Sequence, residues 1–303
     1  MRKSMACWLI LFAAWCLANG GEQVDDLESL PPPEVRIERP NAIYGHSFFH
    51  LYRKFKAAPS HDLCERLIKA LERLLLEEPG GRFAPMPDLG GRMYLLDDSG
   101  GPLGTLSELY QFQGRYDEAV VVEIQRSLIM HHDAVLLDSV GRVFPSPYGD
   151  PPYRLRSSID FVKQTLRKGI RVKPIIFVCG WPIRARWKGN EPEDAFVSLN
   201  DVAYALGGEK WRDVIHHDWK NWRFTLSLQG KTLSFSAGSQ KGVISGKEVQ
   251  LRHPVERSFY DLYVPLGDLV RLVGGSLRSP KPDELEVFRR HLPVSLLVIE
   301  LQR

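Results

Sequence analysis

Cysteine is scarce in this chain: there are four in 303 residues and none forms a Cys-x-x-Cys pair, so thiol redox catalysis has no signature. Two of the four, Cys7 and Cys16, fall in the N-terminal leader, which leaves Cys64 and Cys179, one in each half. Two cysteines do not make a disulfide framework, and a chain of this size does not need one, so free thiols are expected even where oxidation would permit a bridge. A dominant charge is lacking too. Forty Lys and Arg face 37 Asp and Glu, and Arg2 and Lys3 of the leader belong to that small surplus. No strong field steers the protein to nucleic acid or to an anionic membrane. The sequence also offers no Ser-His-Asp order, no Gly-rich phosphate loop and no carboxylate pair in a cleft-like phrase. What is present is a globular composition, 44% apolar and 25% charged, long enough for two domains.

The start of the chain, "MRKSMACWLILFAAWCLANGGE", has basic residues, an apolar run from about Ala6 to Ala18 and a small-x-small site at Ala18 to Gly20. That is the arrangement of a secretory signal peptide over residues 1–20, with the mature protein beginning near Gly21. The run is shorter than the roughly 18 apolar residues that favour a spanning helix, so no membrane span is expected after cleavage. Trp15 stands before Cys16, where lipid modification would want a small residue. The expected location is therefore secreted or cell envelope. Residues 21–40 carry acids and three consecutive prolines, an extended linker.

Residues 41–168 read as a mixed α+β domain. "SHDLCERLIKALERLLLEEPGG" is a helix: Leu63, Leu67, Ile68, Leu71, Leu74 and Leu75 recur at helical spacing, Asp62 can cap with Glu65, and Pro79-Gly80-Gly81 stops it. Its charged face reads as ordinary solvated surface. "MYLLDDSGGPLGTL" and "AVLLDSVGRVFPSP" each read as a hairpin, an apolar stretch on either side of a Gly turn. Periodicity does not decide between helix and strand for "DEAVVVEIQRSLIM".

Residues 169–303 contain a repeat. "FVSLNDVAYALGG" from Phe196 and "YVPLGDLVRLVGG" from Tyr263 share an aromatic-Val entry, a Leu, an Asp in the first helical turn and a closing Gly pair. Upstream, "IIFVCGWPIRA" and "GVISGKEVQL" are both strand, Gly turn, strand; downstream come the hairpin "NWRFTLSLQGKTLSFSAGS" and the apolar strand "HLPVSLLVIEL". The expected unit is hairpin, short helix, strand, over about 170–241 and 242–303. The overall class is α+β, with a β-rich C-terminal domain of two such repeats after the mixed N-terminal domain. Asp201 and Asp268 are expected to meet the positive helix end, and Gly207, Gly208, Gly274 and Gly275 to terminate the helices, so these are structural positions. Leu206 and Val273 are expected at equivalent buried places.

The order of these phrases, from "VCGWPI" to "YVPLGDLVRLVGG" across roughly residues 174–277, resembles the copper amine oxidase N-terminal-like domain, also described as a stalk domain, of exported bacterial proteins. Cys179 and Ser245 stand where that family usually has Asn, and Ser198 replaces the proline of its usual phrase. The resemblance implies a non-catalytic envelope module without copper or quinone, since those belong to a separate catalytic domain of the oxidases. No cofactor is expected.

Other candidates come from the residues alone. His46 and His50, four apart, are a metal candidate with no third ligand evident; His216, His217 and Asp218, together in a loop between helix and hairpin, and the adjacent His131 and His132 are metal candidates whose neighbouring side chains usually point apart. Trp211, Trp219 and Trp222 share one segment and either cover the sheet or stack on sugar rings or a partner surface. The expected function is an exported, non-enzymatic cell-envelope protein with a stalk-like binding or scaffold domain, its partner a cell-wall glycan or another envelope protein. The alternatives are a cell-wall-acting enzyme with its active site in the N-terminal half and a metal-binding envelope protein.

Overall fold

The computed structural model describes residues 51–77, 101–130, 136–137, 143–144, 156–228 and 230–301. The leader, the linker and the His46, His50, His131 and His132 candidates lie outside these residues. The fold is α+β.

In the N-terminal half, α1 (His61–Glu77) is the expected amphipathic helix, with Leu67, Ile68 and Leu71 buried. Its cap is Ser60 rather than Asp62: the Leu63 amide donates to Ser60 Oγ at 3.2 Å. The second arm of the first expected hairpin is instead helical, α2 (Gly101–Phe112). Pro102 sits in its first turn, where no amide hydrogen is needed, and Leu103, Leu106, Leu109 and Tyr110 are buried at helical spacing. Then comes α3 (Tyr116–Met130), the undecided segment. Ala119 to Val122, Ile124 and Leu128 are all buried, so the helix is enclosed on every side and shows no single apolar face. The second expected hairpin is present, with β1 (Leu136–Leu137) antiparallel to β2 (Val143–Phe144). A further helix, α4 (Arg156–Arg167), precedes the sheets.

The C-terminal half is built about a pair of strands. β6 (Ala195–Ser198) leads into α5 (Leu199–Gly207), and β13 (Leu262–Pro265) leads into α7 (Leu266–Val273), so the two phrases have the same secondary structure. The strands pair antiparallel with Val197 opposite Val264, Phe196 opposite Pro265 and Ser198 opposite Tyr263. Equivalent positions thus exchange across the pair, as in a local twofold. β5 (Ala185–Trp187) flanks β6 and β12 (Glu256–Arg257) flanks β13, completing a symmetric sheet.

The hairpins obey the same relation. β3 (Ile175–Val178) and β4 (Trp181–Ile183) are joined by Cys179 and Gly180 at φ 46 and 79°, while β10 (Lys241–Ile244) and β11 (Lys247–Gln250) are joined by Ser245 and Gly246 at 45 and 84°. Positive φ at both central residues is the two-residue turn that matches the twist of paired strands. After α5, a short helix α6 (Trp211–Val214) leads to β7 (Ile215–Asp218), β8 (Arg223–Leu228) and β9 (Lys231–Ser236), which pair onto the hairpin of the second repeat in the order β11-β10-β9-β8-β7. After α7, β14 (Ser276–Arg278), the helix α8 (Glu286–His291) and β15 (Leu296–Glu300) follow, and β15 pairs parallel to β3 of the first repeat. Each repeat therefore completes the other's sheet.

The Gly pairs are used differently. In the second repeat Gly274 adopts the left-handed conformation, φ 73°, and a Cβ on Gly275 would meet the Glu300 carbonyl at 2.6 Å. In the first, Gly207 stays helical and Gly208 takes positive φ, 55°, so α5 runs one residue longer. Val273 is buried and Leu206 only half-buried, which departs from the expected equivalence. One apolar cluster joins the three large sheets; another joins Val120, Ile124, Ile159 and Val162 of α3 and α4 to Ile175, Phe177 and Phe288, so helices and sheets share a core. Among the described residues Cys64 and Cys179 form no disulfide, and burial pushes the Cys64 thiol up to about 11. Among the described residues no helix is long and apolar enough to cross a membrane.

Candidate functional site

A cleft of about 1020 Å³ opens between the helices and the duplicated sheets. Glu65 and Lys69 of α1 and the turn between α2 and α3 form one wall; Arg186, Trp187, Trp219, Trp222 and Tyr260 belong to the other.

Trp219 and Trp222 enter this cleft from the tight turn between β7 and β8. The Asp218 carboxylate accepts from the Asn221 side chain at 2.8 Å and its amide at 3.1 Å, which fixes the turn and holds Asp218 below its ordinary value. Trp222 sits at φ 47°. A left-handed backbone costs roughly 1–2 kcal/mol for a residue with a side chain, and Gly or Asn is the usual occupant. Trp219 stacks on His217 with ring centroids 4.8 Å apart and planes 6° from parallel, and meets Trp222 edge to face at 5.6 Å. Trp211 is elsewhere: it is buried in the core, with 4% of its surface exposed.

The histidine candidates separate. His216, His217 and Asp218 lie in strand β7 rather than in a loop, so His216 and His217 point to opposite faces. His216 is exposed; His217 is packed against Trp219 and Phe224, with Nε2 2.8 Å from Asn200 Oδ1. Burial, then the nearby His216 and Arg212, push the His217 pKa down to about 3, so its ring is neutral. Among the described residues no group of three or more His, Cys, Asp or Glu is placed to hold a metal ion.

Behind the cleft lies a buried polar network that the sequence did not suggest. Arg184, just after β4, donates from Nε at 3.0 Å and Nη2 at 2.8 Å to the Asp201 carboxylate, and from Nη2 to Asp261 at 3.1 Å. Its backbone amide also reaches Asp201 at 2.8 Å. Asp261 accepts from Ser198 Oγ at 2.5 Å and from its neighbour's amide, Leu262 N, at 2.8 Å. Burial pushes the Asp261 pKa up to about 7 although Arg184 pulls it down. Gln125 of α3 donates to Asp201 at 3.0 Å, and Arg184 Nη1 donates to the Tyr110 hydroxyl of α2 at 3.3 Å, so the helices are tied to this centre.

A second cluster reaches the cleft surface. Arg115 clasps Glu118 with two bonds of 2.6 Å, Tyr263 donates to Glu118 at 2.8 Å, and Arg186 approaches it at 3.4 Å. Burial acts to raise the Glu118 pKa, but the Arg115 bonds and the Arg186 charge hold it below its ordinary value. Arg115 and Arg186 also lie over the rings of Tyr110 and Tyr263, at 4.0 and 3.9 Å. Glu72 of α1 accepts from Tyr110 at 3.1 Å and from Ser258 at 3.1 Å. Glu72 and Arg73 are buried, which corrects the expectation that the charged side of α1 is solvated surface.

Chemically, the acids at the inner end of the cleft are engaged by guanidinium and hydroxyl donors, and the Ser258 hydroxyl donates to Glu72 while receiving from Arg186 Nη2 at 3.1 Å. The arrangement suits recognition: aromatic faces at the mouth, oriented donors within. Asp201 and Asp268 each accept the amide of an Arg at the end of their own hairpin, Arg184 and Arg252, at 2.8 and 2.7 Å.

No protein-family model, no curated protein and no solved structure matches the chain.

Proposed function

We propose that this is an exported, non-enzymatic cell-envelope protein whose duplicated C-terminal half is a stalk-like module of the copper amine oxidase N-terminal-like kind, and that the cleft against its helices binds a cell-wall glycan. Trp222 carries this reading. A bulky aromatic held at φ 47° is a backbone conformation that a glycine would hold at lower cost, and the reward is an indole set edge to face with Trp219 at the cleft. Sugar rings present apolar faces edged with hydroxyls, and they match aromatic platforms with polar groups close by.

The test is co-sedimentation of the full mature chain with purified insoluble cell wall, comparing wild type with Trp222→Gly and Trp219→Ala. The expected result is saturable binding that falls at least about tenfold in both variants while circular dichroism stays unchanged. Equal binding by wild type and variants would reject the cleft. Soluble sugar or peptide released from the wall with time would favour the enzyme alternative.

A further inference from the structure

We infer that the cleft selects a saccharide that bears carboxylate groups, over a neutral one. This rests on the glycan-binding reading above and names the class of glycan. The support is a difference between the cleft's cations and its acids. Glu118 is saturated by Arg115, Tyr263 and Arg186, and Asp117 accepts the Lys173 amide at 2.8 Å. Arg186 lies with its Cζ 3.9 Å from the Tyr263 ring centre, uses Nε and Nη2 for Glu118 and Ser258, and among the described residues makes no hydrogen bond from Nη1. At the mouth, the exposed Arg257 lies over the Trp222 ring at 3.3 Å, and among the described residues neither it nor Lys69 forms an ion pair. Glu65 is exposed at the rim.

Guanidinium groups fixed in orientation bind carboxylate better than hydroxyl, because two N–H donors meet two charged oxygens. A sugar at the mouth of the cleft would carry its acid group beside Arg257, which covers a face of Trp222, or inward toward Arg186. A neutral sugar in that place would cover these cations without pairing them, which costs binding energy.

Isothermal titration of the full mature chain with three probes tests this: a tetramer of galacturonic acid, the neutral tetramer of N-acetylglucosamine, and poly-glutamate. The expected result is that the acidic sugar binds at least about tenfold tighter than the neutral one and weakens with added salt, while poly-glutamate does not compete. Arg257→Gln, at an exposed position, should weaken the acidic sugar and reduce its preference to about threefold or less, and Arg186→Lys, monitored by its melting temperature, should weaken the acidic sugar more than the neutral one. Equal binding of the two sugars would overturn the inference and leave the glycan reading standing. Binding of neither would overturn both. Poly-glutamate bound as tightly as the acidic sugar would assign the cleft to acidic peptide instead.

Discussion

The two repeats share a hairpin and strand-to-helix frame and differ in the uses of their charges. Both fold the same phrase, strand into short helix, and in both the helix-start aspartate accepts the amide of an arginine at the end of the preceding hairpin. In the second repeat the matter ends at the surface: Asp268 pairs with Arg271, whose side chain is 54% exposed. In the first, Asp201 pairs with Arg184, only 7% exposed, and through it reaches Asp261, Tyr110 and the helices. The proline at the second N-cap, Pro265, is Ser198 in the first, and that hydroxyl both caps α5 and donates to Asp261. Duplication supplies the frame, and the charges of one copy join that frame to the N-terminal half.

The largest expected break in this comparison is Arg184→Ala against Arg271→Ala. Removing Arg184 leaves Asp201 and Asp261 buried without their cation, so urea unfolding should show a loss of about 3–5 kcal/mol, whereas the exposed Arg271 should cost at most about 1 kcal/mol. Equal losses would mean that the buried centre is not special. Next come the glycines. Gly274→Val should destabilise by at least about 1 kcal/mol through its left-handed backbone, and Gly275→Ala should also cost stability because its Cβ would strike the Glu300 carbonyl. Gly207 has an ordinary helical backbone; a side chain there meets the Val214 Cγ2 methyl at 2.8 Å rather than backbone, so Gly207→Ala should cost less than Gly275→Ala in the same assay.

A smaller effect separates two buried titrating groups. Asp261 has its pKa raised from 3.8 to about 7, so the stability it contributes is present below about pH 4 and is lost as pH rises toward 7. His217 has its pKa lowered from 6.5 to about 3, so its contribution is present above about pH 6.5 and is lost as pH falls toward 3. The two oppose each other between about pH 4 and 6.5. Asp261→Asn should therefore leave stability rising with pH across that window, and His217→Phe should leave it falling; melting temperatures at half-unit steps check the sign of each slope. Identical slopes in the two variants would contradict the burial of one or both groups.

Much of the frame was legible because short-range chemistry carries it. The Gly turns at Gly180 and Gly246, the aspartates in the first helical turn and the helix at His61–Glu77 each follow from local rules. The helical identity of Gly101–Phe112 was obscured by its Gly-Gly-Pro start, which reads as a turn but here places proline where a helix tolerates it. The polar network was hidden for a different reason. Glu72 sits in a helix that also carries the exposed Asp62 and Glu65, and nothing in its spacing distinguishes it from them; Tyr110 and Ser258, its partners, are distant in the chain. A trace existed in "PIRARW", where two arginines fall in a segment between apolar strands, and in the acid and amide of the enclosed helix Tyr116–Met130. Of the tryptophans, sequence grouped three; only the turn geometry separates the core Trp211 from the cleft-lining Trp219 and Trp222.

Trp222→Gly tests the central claim most directly, measured for both wall binding and unfolding free energy. A binding aromatic held at φ 47° predicts that glycine relieves backbone strain as it removes packing, so stability should stay within about 1 kcal/mol of wild type while binding falls at least about tenfold. Unchanged binding, or a stability loss of about 3 kcal/mol or more as for removal of a core aromatic, would show that Trp222 serves the fold and not a ligand.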